Sequence, residues 1–185
     1  LLATASVPVP VVSIGSLSVG GSGKTPLVIR LCRALRSRGL RPVIVSGGYG
    51  GMARKPTVVA SESGLEQSPP MVAEEAALVA LRSGCAVVTG RDRVAACRLA
   101  VERFAPDLLV LDDGFQHRRL HRDLDVVIRP SGERFMLPSG PLREPLSALG
   151  RADLIVGPVH RRARCLVAEV GTDGAGLQLE KLAGS

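Results

Sequence analysis

Short apolar runs alternate along this chain with longer segments in which apolar residues recur every three or four positions. The apolar runs predict buried strands at 9–15, 42–46, 57–60, 86–89, 106–113, 124–128 and 153–156. The helical spacing covers 26–38 and 71–82, and a third helix follows Arg93 and ends near Phe104. This alternation is typical of an α/β protein in three layers, with a mostly parallel sheet between helices.

A glycine-rich loop separates the first predicted strand from the first predicted helix. Its residues are Ser18, Val19, Gly20, Gly21, Ser22, Gly23, Lys24 and Thr25. A P-loop has a glycine, four further residues and then Gly-Lys-Ser/Thr, because tightly turned glycines point backbone N–H groups at phosphates while the lysine reaches the β- and γ-phosphates. Ser18 stands where the pattern has its first glycine, but strand, loop and helix follow in the required order. We interpret the loop as a phosphate-binding loop rather than a glycine-rich turn with an incidental lysine.

Two acidic residues follow another strongly apolar strand. The run 108–111 leads directly into Asp112 and Asp113, the arrangement in which a central strand delivers a carboxylate to the Mg²⁺ of a bound nucleotide. Such a run is common by itself, but together with the P-loop it predicts a P-loop NTPase-type core. The basic loop that follows contains His117, which either orients a phosphate or carboxylate or is a solvated loop histidine.

Further candidates lie outside these two motifs. Glu74 and Glu75 fall in the first turn of a predicted helix, where stabilising the helix dipole is the alternative to a chemical role. Arg143 lies in a Pro/Gly-rich connection at 137–146 and is either a phosphate clamp or an ion-pair partner of Glu144. A glycine-rich loop at 47–51 follows the second strand, at the edge where open α/β sheets bind ligands.

Composition narrows the set of partners. Arginine supplies all but three of the 24 basic residues, and the formal net charge is +7. This balance suits phosphorylated ligands or an anionic membrane surface, whereas an aromatic content of 2% argues against nucleic-acid binding. We expect no membrane span or signal peptide in this chain. The cysteines have no metal-binding spacing and are expected to be buried, reduced thiols in the cytosol; they are Cys32, Cys85, Cys97 and Cys165.

Four motifs together resemble the tetraacyldisaccharide 4′-kinase family. They are the P-loop, Gly-Arg-Asp-Arg at 90–93, Asp-Asp-Gly-Phe-Gln-His at 112–117 and Leu-Pro-Ser-Gly-Pro-Leu-Arg-Glu-Pro-Leu at 137–146. That family moves the γ-phosphate of ATP to the 4′-hydroxyl of a tetraacyldisaccharide 1-phosphate in lipid A biosynthesis. The resemblance implies ATP and Mg²⁺ as cofactors and a lipid disaccharide 1-phosphate as substrate. It also implies peripheral contact with the anionic cytoplasmic face of the inner membrane of a Gram-negative bacterium.

The resemblance assigns roles to individual residues. It implies that 18–25 and Arg93 bind the nucleotide. It implies that the metal is bound by Thr25, Asp112 and Asp113. It implies that the residues that take part in phosphoryl transfer are Glu74, Asp112, Asp113, His117 and Arg143. Two positions differ from the family pattern: Gly47 stands where the family has an arginine, and Glu74 stands where it has the aspartate that resembles a base for the attacking hydroxyl.

Family members also have an N-terminal membrane helix and a second lobe, both of which we expect to be largely absent here. We expect a kinase core over 1–160 and a basic, glycine-rich tail over 161–185 that would begin the second lobe. The alternative function is a catalytically weak nucleotide-binding relative that has lost the acceptor site, favoured by Gly47, Glu74 and the short C-terminus. A partitioning ATPase with a deviant P-loop is less favoured, because Val19 occupies the position of that class's first lysine.

Overall fold

The computed structural model describes residues 4–129 and 135–157, together with the backbone of two short strands at 167–169 and 178–180. The strands are β1 (Val11–Ser16), β2 (Pro42–Ser46), β3 (Thr57–Ser61), β4 (Gly64–Leu65), β5 (Ala86–Thr89), β6 (Leu108–Asp112), β7 (Leu124–Ile128), β8 (Leu154–Val156), β9 (Val167–Glu169) and β10 (Gln178–Glu180). The helices are α1 (Lys24–Arg36), α2 (Glu74–Ser83), α3 (Arg93–Phe104) and a 3₁₀ helix (Leu146–Arg151).

The main sheet has eight strands in the order β4-β3-β5-β2-β6-β1-β7-β8. The six strands from β5 to β8 in this order run parallel, and β3 and β4 extend one edge in antiparallel pairing. The mostly parallel α/β sheet predicted from the sequence is therefore confirmed. The glycine-rich loop follows β1, which lies between β6 and β7 in the interior of the sheet.

The sheet separates two apolar layers because successive residues of a strand face opposite sides. On one side, Val12 and Ile14 of β1 belong to the same buried cluster as residues of α1 and α2. On the other side, Val11 belongs to the cluster that contains Ala96 and Cys97 of α3. The three layers expected from the pattern are thus present. Cys32, Cys85 and Cys97 are buried and free, as predicted, and Cys165 lies outside the described residues.

The ends of several elements differ from their predicted bounds. Helix α1 begins at Lys24 rather than at Pro26, and α2 begins at Glu74 rather than at Met71. The segment before α2 forms a turn, in keeping with Pro69 and Pro70 immediately upstream of Met71. The predicted core strand at 153–156 is wrong in its position, because β8 pairs only with β7 at the edge of the sheet and Ile155 is 45% exposed. A short apolar run does not distinguish an edge strand from a central one.

The C-terminal part contains one feature that the sequence pattern did not predict. β9 and β10 pair in antiparallel fashion, with Ala168 opposite Leu179. Strands of three residues leave almost no periodic signal. The basic patch predicted at 161–164 and most of the predicted tail lie outside the described residues. Within the described part, none of the helices is both long and apolar enough to span a bilayer.

Candidate active site

The loop between β1 and α1 has the backbone geometry of a phosphate-binding loop. Gly20 and Gly23 have φ values of 98° and 86°, in the left-handed region that favours glycine. Gly23 directly precedes α1 and offers no side chain to cap its first turn. The N–H groups of that turn and the positive end of the helix dipole therefore suit an anion.

Lys24, the first residue of α1, has its ammonium group held by two hydroxyl groups and a carboxylate. Its Nζ donates to Ser16 Oγ and Ser22 Oγ at 3.2 Å each, and Ser22 Oγ donates to Ser16 Oγ at 3.0 Å. The same Nζ lies 3.5 Å from Asp113 Oδ1. These contacts fix the position of the ammonium group beside the glycine loop.

Asp112 ends β6 and faces the start of α1. Thr25 Oγ1 donates to Asp112 Oδ2 at 3.5 Å and to Glu75 Oε1 at 2.9 Å. Burial raises the pKa of Asp112 to about 6, and the nearby carboxylates of Glu75 and Asp113 act in the same direction. Two carboxylates, those of Asp112 and Glu75, lie around one hydroxyl, and this arrangement favours the approach of a cation.

Asp113 is the next residue along the chain but has different partners. It has a positive φ of 61°, which aspartate tolerates better than most residues, and its N–H donates to Ile14 O at 2.9 Å. Arg143 Nη1 donates to Asp113 Oδ2 at 2.7 Å. Asp113 therefore joins the P-loop lysine to an arginine that lies 30 residues further along the chain.

Arg143 reaches the site because its segment packs along the P-loop. Arg143 N donates to Leu17 O at 2.7 Å, and Val19 N donates to Pro141 O at 2.8 Å. The sequence left open an ion pair between Arg143 and Glu144. That alternative is wrong, since Glu144 pairs with Arg151 at 2.7 Å. The other role considered for Arg143, that of a phosphate clamp, stays a prediction.

Arg93 is a buried cation, 3% exposed, at the start of α3. Its Nη1 donates to Gly90 O, while Nε and Nη2 have no hydrogen-bond partner among the described residues. Burial lowers the pKa of Arg93, with Tyr49 and Asp113 acting in the opposite direction. A Cβ at Gly47 would lie 2.8 Å from Arg93 Nη2 and 2.5 Å from the Tyr49 ring. The position where the family pattern has an arginine therefore lies beside the guanidinium of Arg93.

A cavity of about 610 Å³ brings most of the predicted residues together. The predicted residues that line it are Gly20, Gly21, Ser22, Gly23, Lys24, Thr25, Arg93, Asp112, Asp113 and Arg143. Ser18, Val19, Glu74 and His117 do not line it. The roles predicted for all of the site residues, inside the cavity and outside it, stay predictions. Ser18 is buried, Val19 is 47% exposed, and Glu74 is the exposed first residue of α2.

Glu75 is an acidic residue that lines the cavity and that the sequence did not single out as a site residue. It follows Glu74 in the first turn of α2, and both residues have the same simple interpretation as helix-stabilising acids. The contact between Glu75 and Thr25 joins residues 50 positions apart, so no local pattern could have identified it.

His117 lies in a second cavity beside the first. That cavity has a volume of about 550 Å³, and Arg93 lines both cavities. Burial lowers the pKa of His117, and Arg93 acts in the same direction. The imidazole is therefore neutral at neutral pH, available as a hydrogen-bonding group rather than as a cation.

The donor set fits Mg²⁺ bound together with a nucleotide. No group of three or more His, Cys, Asp or Glu residues in the described part of the chain could hold a metal ion by itself. Mg²⁺ is usually held by one or two carboxylates together with phosphate oxygens and water. Thr25 Oγ1 and the Asp112 carboxylate, 3.5 Å apart, suit this kind of shared site.

A glycine loop ahead of a helix, a lysine in that loop and an acid at the end of the neighbouring parallel strand define a P-loop nucleotide-binding protein. Comparisons with known proteins narrow this class. The family model described as tetraacyldisaccharide-1-P 4′-kinase matches residues 1–178. The chain belongs to the tetraacyldisaccharide 4′-kinase family, as the sequence motifs predicted.

Individual relatives agree with the family match. The tetraacyldisaccharide 4′-kinase of Syntrophus aciditrophicus is 44% identical over an alignment of 189 positions, gaps included. This alignment covers 95% of this chain and 50% of the relative. That of Chromobacterium violaceum is 47% identical over 156 residues, covering 81% of this chain and 44% of the relative. A crystal structure of LpxK from Aquifex aeolicus, described as an "apo" form in complex with ATP, superposes with a TM-score of 0.80 at 40% identity.

The chain spans about half the length of these relatives. The superposition likewise covers 85% of this chain and 50% of the Aquifex aeolicus chain. The matches to the family and to the fold thus concern the half of these relatives that contains the P-loop.

Proposed function

We propose that this protein binds ATP with Mg²⁺ and transfers the γ-phosphate to the 4′-hydroxyl of a tetraacyldisaccharide 1-phosphate. The observation that carries the proposal is the convergence of Lys24, Thr25, Asp112 and Arg143 on one cavity at the carboxyl edge of the sheet. The names of the relatives support the choice of acceptor, and the ATP in the Aquifex aeolicus structure supports the choice of nucleotide.

Each residue of the cavity has a proposed part in phosphoryl transfer. Lys24 and the glycine loop hold the phosphate chain, while Arg93 and Arg143 place positive charge around the transferred group. Thr25 and Asp112 hold Mg²⁺, which would neutralise charge on the phosphates. Asp113 orients Lys24 and Arg143 through its two ion pairs, so it acts as a positioning residue rather than as a metal ligand.

The acceptor hydroxyl needs a carboxylate for orientation, and α2 offers two. Glu74 matches the family position of the proposed base but does not line the cavity, whereas Glu75 does and bonds Thr25. We assign Glu74 to the acceptor and Glu75 to the metal side of the site. Because phosphoryl transfer depends mainly on positioning, the placement of these carboxylates matters more than their acidity.

The acceptor is a lipid, so the reaction takes place at a membrane surface. We propose that the protein contacts the anionic cytoplasmic face of the inner membrane peripherally, supported by the net charge of +7. The domain division of the sequence analysis, a core over 1–160 and a tail over 161–185, stays part of this proposal.

ATP binding by the 185-residue chain is the first test. Replacing Lys24 removes the lysine of the loop and its charge-assisted contacts, so Lys24→Ala should weaken Mg·ATP binding by about 2–4 kcal/mol in calorimetry. Arg33→Ala, on an exposed position of the same helix, is the matched control and should leave affinity unchanged. Equal affinity of Lys24→Ala and wild type would contradict the nucleotide site.

Phosphoryl transfer is the second arm of the same test. Radiolabelled ATP, detergent-dispersed acceptor and separation of the lipids should reveal label at the 4′-position. Glu74→Ala should lower this transfer without changing Mg·ATP affinity, whereas Glu75→Ala should weaken Mg·ATP binding itself. Normal ATP binding with no transfer would favour the catalytically weak nucleotide-binding alternative.

A further inference from the structure

A third cavity lies at the edge of the sheet opposite the nucleotide cavity. It has a volume of about 370 Å³ and is found where β2 and β5 begin. Its lining includes Cys85, the residue before β5, and three arginines, which are Arg36, Arg41 and Arg103. The proposed phosphoryl transfer uses neither this cavity nor its cysteine.

Cys85 has a second cysteine as its neighbour, from a distant part of the chain. Cys32 of α1 belongs to the same buried cluster. One turn further along α1, Arg36 Nη1 donates to Ser83 O at 3.4 Å, which places this part of α1 against the turn that ends at Cys85. The thiols of Cys32 and Cys85 form a hydrogen bond with each other. The two sulfur atoms are therefore close together, as the formation of a disulfide requires.

The surroundings make Cys85 the more nucleophilic member of this pair. Its N–H donates to Ser83 Oγ at 3.2 Å, so the residue is held in place at the end of the turn. The hydrogen bond with Cys32 lowers the pKa of Cys85, and Ser83 and Arg36 act in the same direction, whereas burial and Glu62 act in the opposite direction. The same hydrogen bond and burial raise the pKa of Cys32. Since the thiolate is the reactive form of cysteine, Cys85 is the residue that would react first.

Cys97 shows what burial alone does to a cysteine of this protein. It belongs to the apolar layer on the other side of the sheet and is fully buried. Burial raises the pKa of Cys97 to about 12, and the residue lines none of the three cavities. Cys97 is therefore a reference for an unreactive thiol within the same molecule.

We propose that Cys85 is a site of oxidation by hydrogen peroxide and that the reaction ends in a disulfide between Cys85 and Cys32. The Cys85 thiolate attacks one peroxide oxygen and the O–O bond breaks, which gives a sulfenic acid and a hydroxide that takes up a proton to form water. The Cys32 sulfur then attacks the Cys85 sulfur. The S–S bond forms, the S–O bond breaks, and the oxygen leaves with the Cys32 proton as a second water. Two thiols and one peroxide thus give one disulfide and two waters.

The disulfide would connect α1 to the junction between α2 and β5. The same two helices meet near their other ends, where Thr25 Oγ1 donates to Glu75 Oε1 at 2.9 Å. Oxidation at Cys85 would therefore add a covalent link to the pair of helices that supplies these two residues to the nucleotide cavity. The proposal rests on the two cysteines and their cavity, not on the proposed function.

The test maps disulfides by mass spectrometry after the reduced 185-residue chain has been exposed to hydrogen peroxide under native conditions. Remaining thiols are blocked with N-ethylmaleimide in denaturant before digestion. The peptides that contain Cys32 and Cys85 should be linked in a protein that stays monomeric on a non-reducing gel, and dithiothreitol should reverse the link. Cys85 should lose its free thiol at least about tenfold faster than Cys97. A link through Cys97 or Cys165 instead, or equal rates of loss at Cys85 and Cys97, would overturn the proposal.

Two variants separate the steps of the reaction. Cys32→Ala removes the second thiol, so the sulfenic acid at Cys85 should accumulate and be labelled by dimedone, a reagent specific for this group. Cys97→Ala is the matched control, because it removes a buried cysteine of the other layer and should form the link between Cys32 and Cys85 as wild type does. Absence of dimedone label at Cys85 in Cys32→Ala would overturn the proposed order of steps. The mapping of the wild-type chain decides the disulfide itself even if a variant fails to fold.

Discussion

Asp112 and Asp113 are adjacent in the chain, but their surroundings give them different chemistry. Asp113 has two cationic partners, Lys24 and Arg143. Asp112 has the hydroxyl of Thr25 and lies near the carboxylate of Glu75, and its burial raises its pKa to about 6. A carboxylate that is costly to ionise without a cation nearby is a natural metal ligand, because a bound cation removes that cost.

The raised pKa predicts how the stability of the metal-free protein depends on pH. The folded protein retains the Asp112 proton up to about pH 6, while the unfolded chain loses it near 3.8. Stability therefore falls as pH rises through this window, by up to about 3 kcal/mol, and stays lower above it.

Asp112→Asn removes this ionisation. We expect the variant to be more stable than wild type by up to about 3 kcal/mol at about pH 7.5, and close to wild type at about pH 4. Urea denaturation with a chelator present, at both pH values, measures the difference. A stability difference that does not change with pH would contradict the raised pKa.

At the scale of elements, the site depends on how closely the loop after β6 lies against β1. Asp113 N and Gly114 N both donate to Ile14 O, at 2.9 and 3.4 Å. Phe115 then fills a fully buried position next to Gly15. A Cβ at Gly15 would lie 2.4 Å from Phe115 Cβ and 3.1 Å from Phe115 N, so this strand position leaves no room for a side chain.

Gly15→Ala should therefore destabilise the protein by about 1–3 kcal/mol, the usual cost of overpacking a core. It should also weaken Mg·ATP binding, because displacing Phe115 moves Asp113 and its two cationic partners. Urea denaturation and calorimetry measure the two effects. Gly150→Ala is the control, since nothing lies within 4 Å of a Cβ there and it should be neutral or slightly stabilising. Wild-type stability of Gly15→Ala would contradict the close packing.

At the scale of the whole molecule, positive charge is the property that would attract the protein to an anionic membrane surface. The net charge of +7 comes mainly from arginine, and the cavity beside the nucleotide site contributes four of these side chains. Electrostatic attraction of this kind acts over about one Debye length, roughly 8 Å at physiological salt. Contact with an anionic bilayer should therefore depend strongly on lipid charge and on salt.

We expect the protein to cosediment with vesicles of phosphatidylcholine that contain phosphatidylglycerol, and not with vesicles of phosphatidylcholine alone. Binding should decrease as salt is raised severalfold. Sedimentation followed by gel quantification measures the bound fraction. Equal binding to both kinds of vesicle, or binding insensitive to salt, would contradict an electrostatic contact.

The sequence by itself determined those features whose signal is local. Apolar runs predicted β1, β2, β5, β6 and β7, because a buried strand needs consecutive apolar residues whatever its neighbours are. Glycine spacing predicted the loop at 18–25, because left-handed backbone is cheap only for glycine. Motif spacing also led to the family, which the comparisons confirmed.

Only the tertiary structure decided which residues meet. The order of strands brings the ends of β1 and β6 together, and with them Lys24 and Asp113. The tertiary structure also places His117 in the second cavity and β8 at the edge of the sheet. It brings Glu75 of α2 into contact with Thr25 of α1. These outcomes depend on contacts between residues far apart in the chain. Such contacts are set by packing and hydrogen bonding in three dimensions and leave no periodic signal in the sequence.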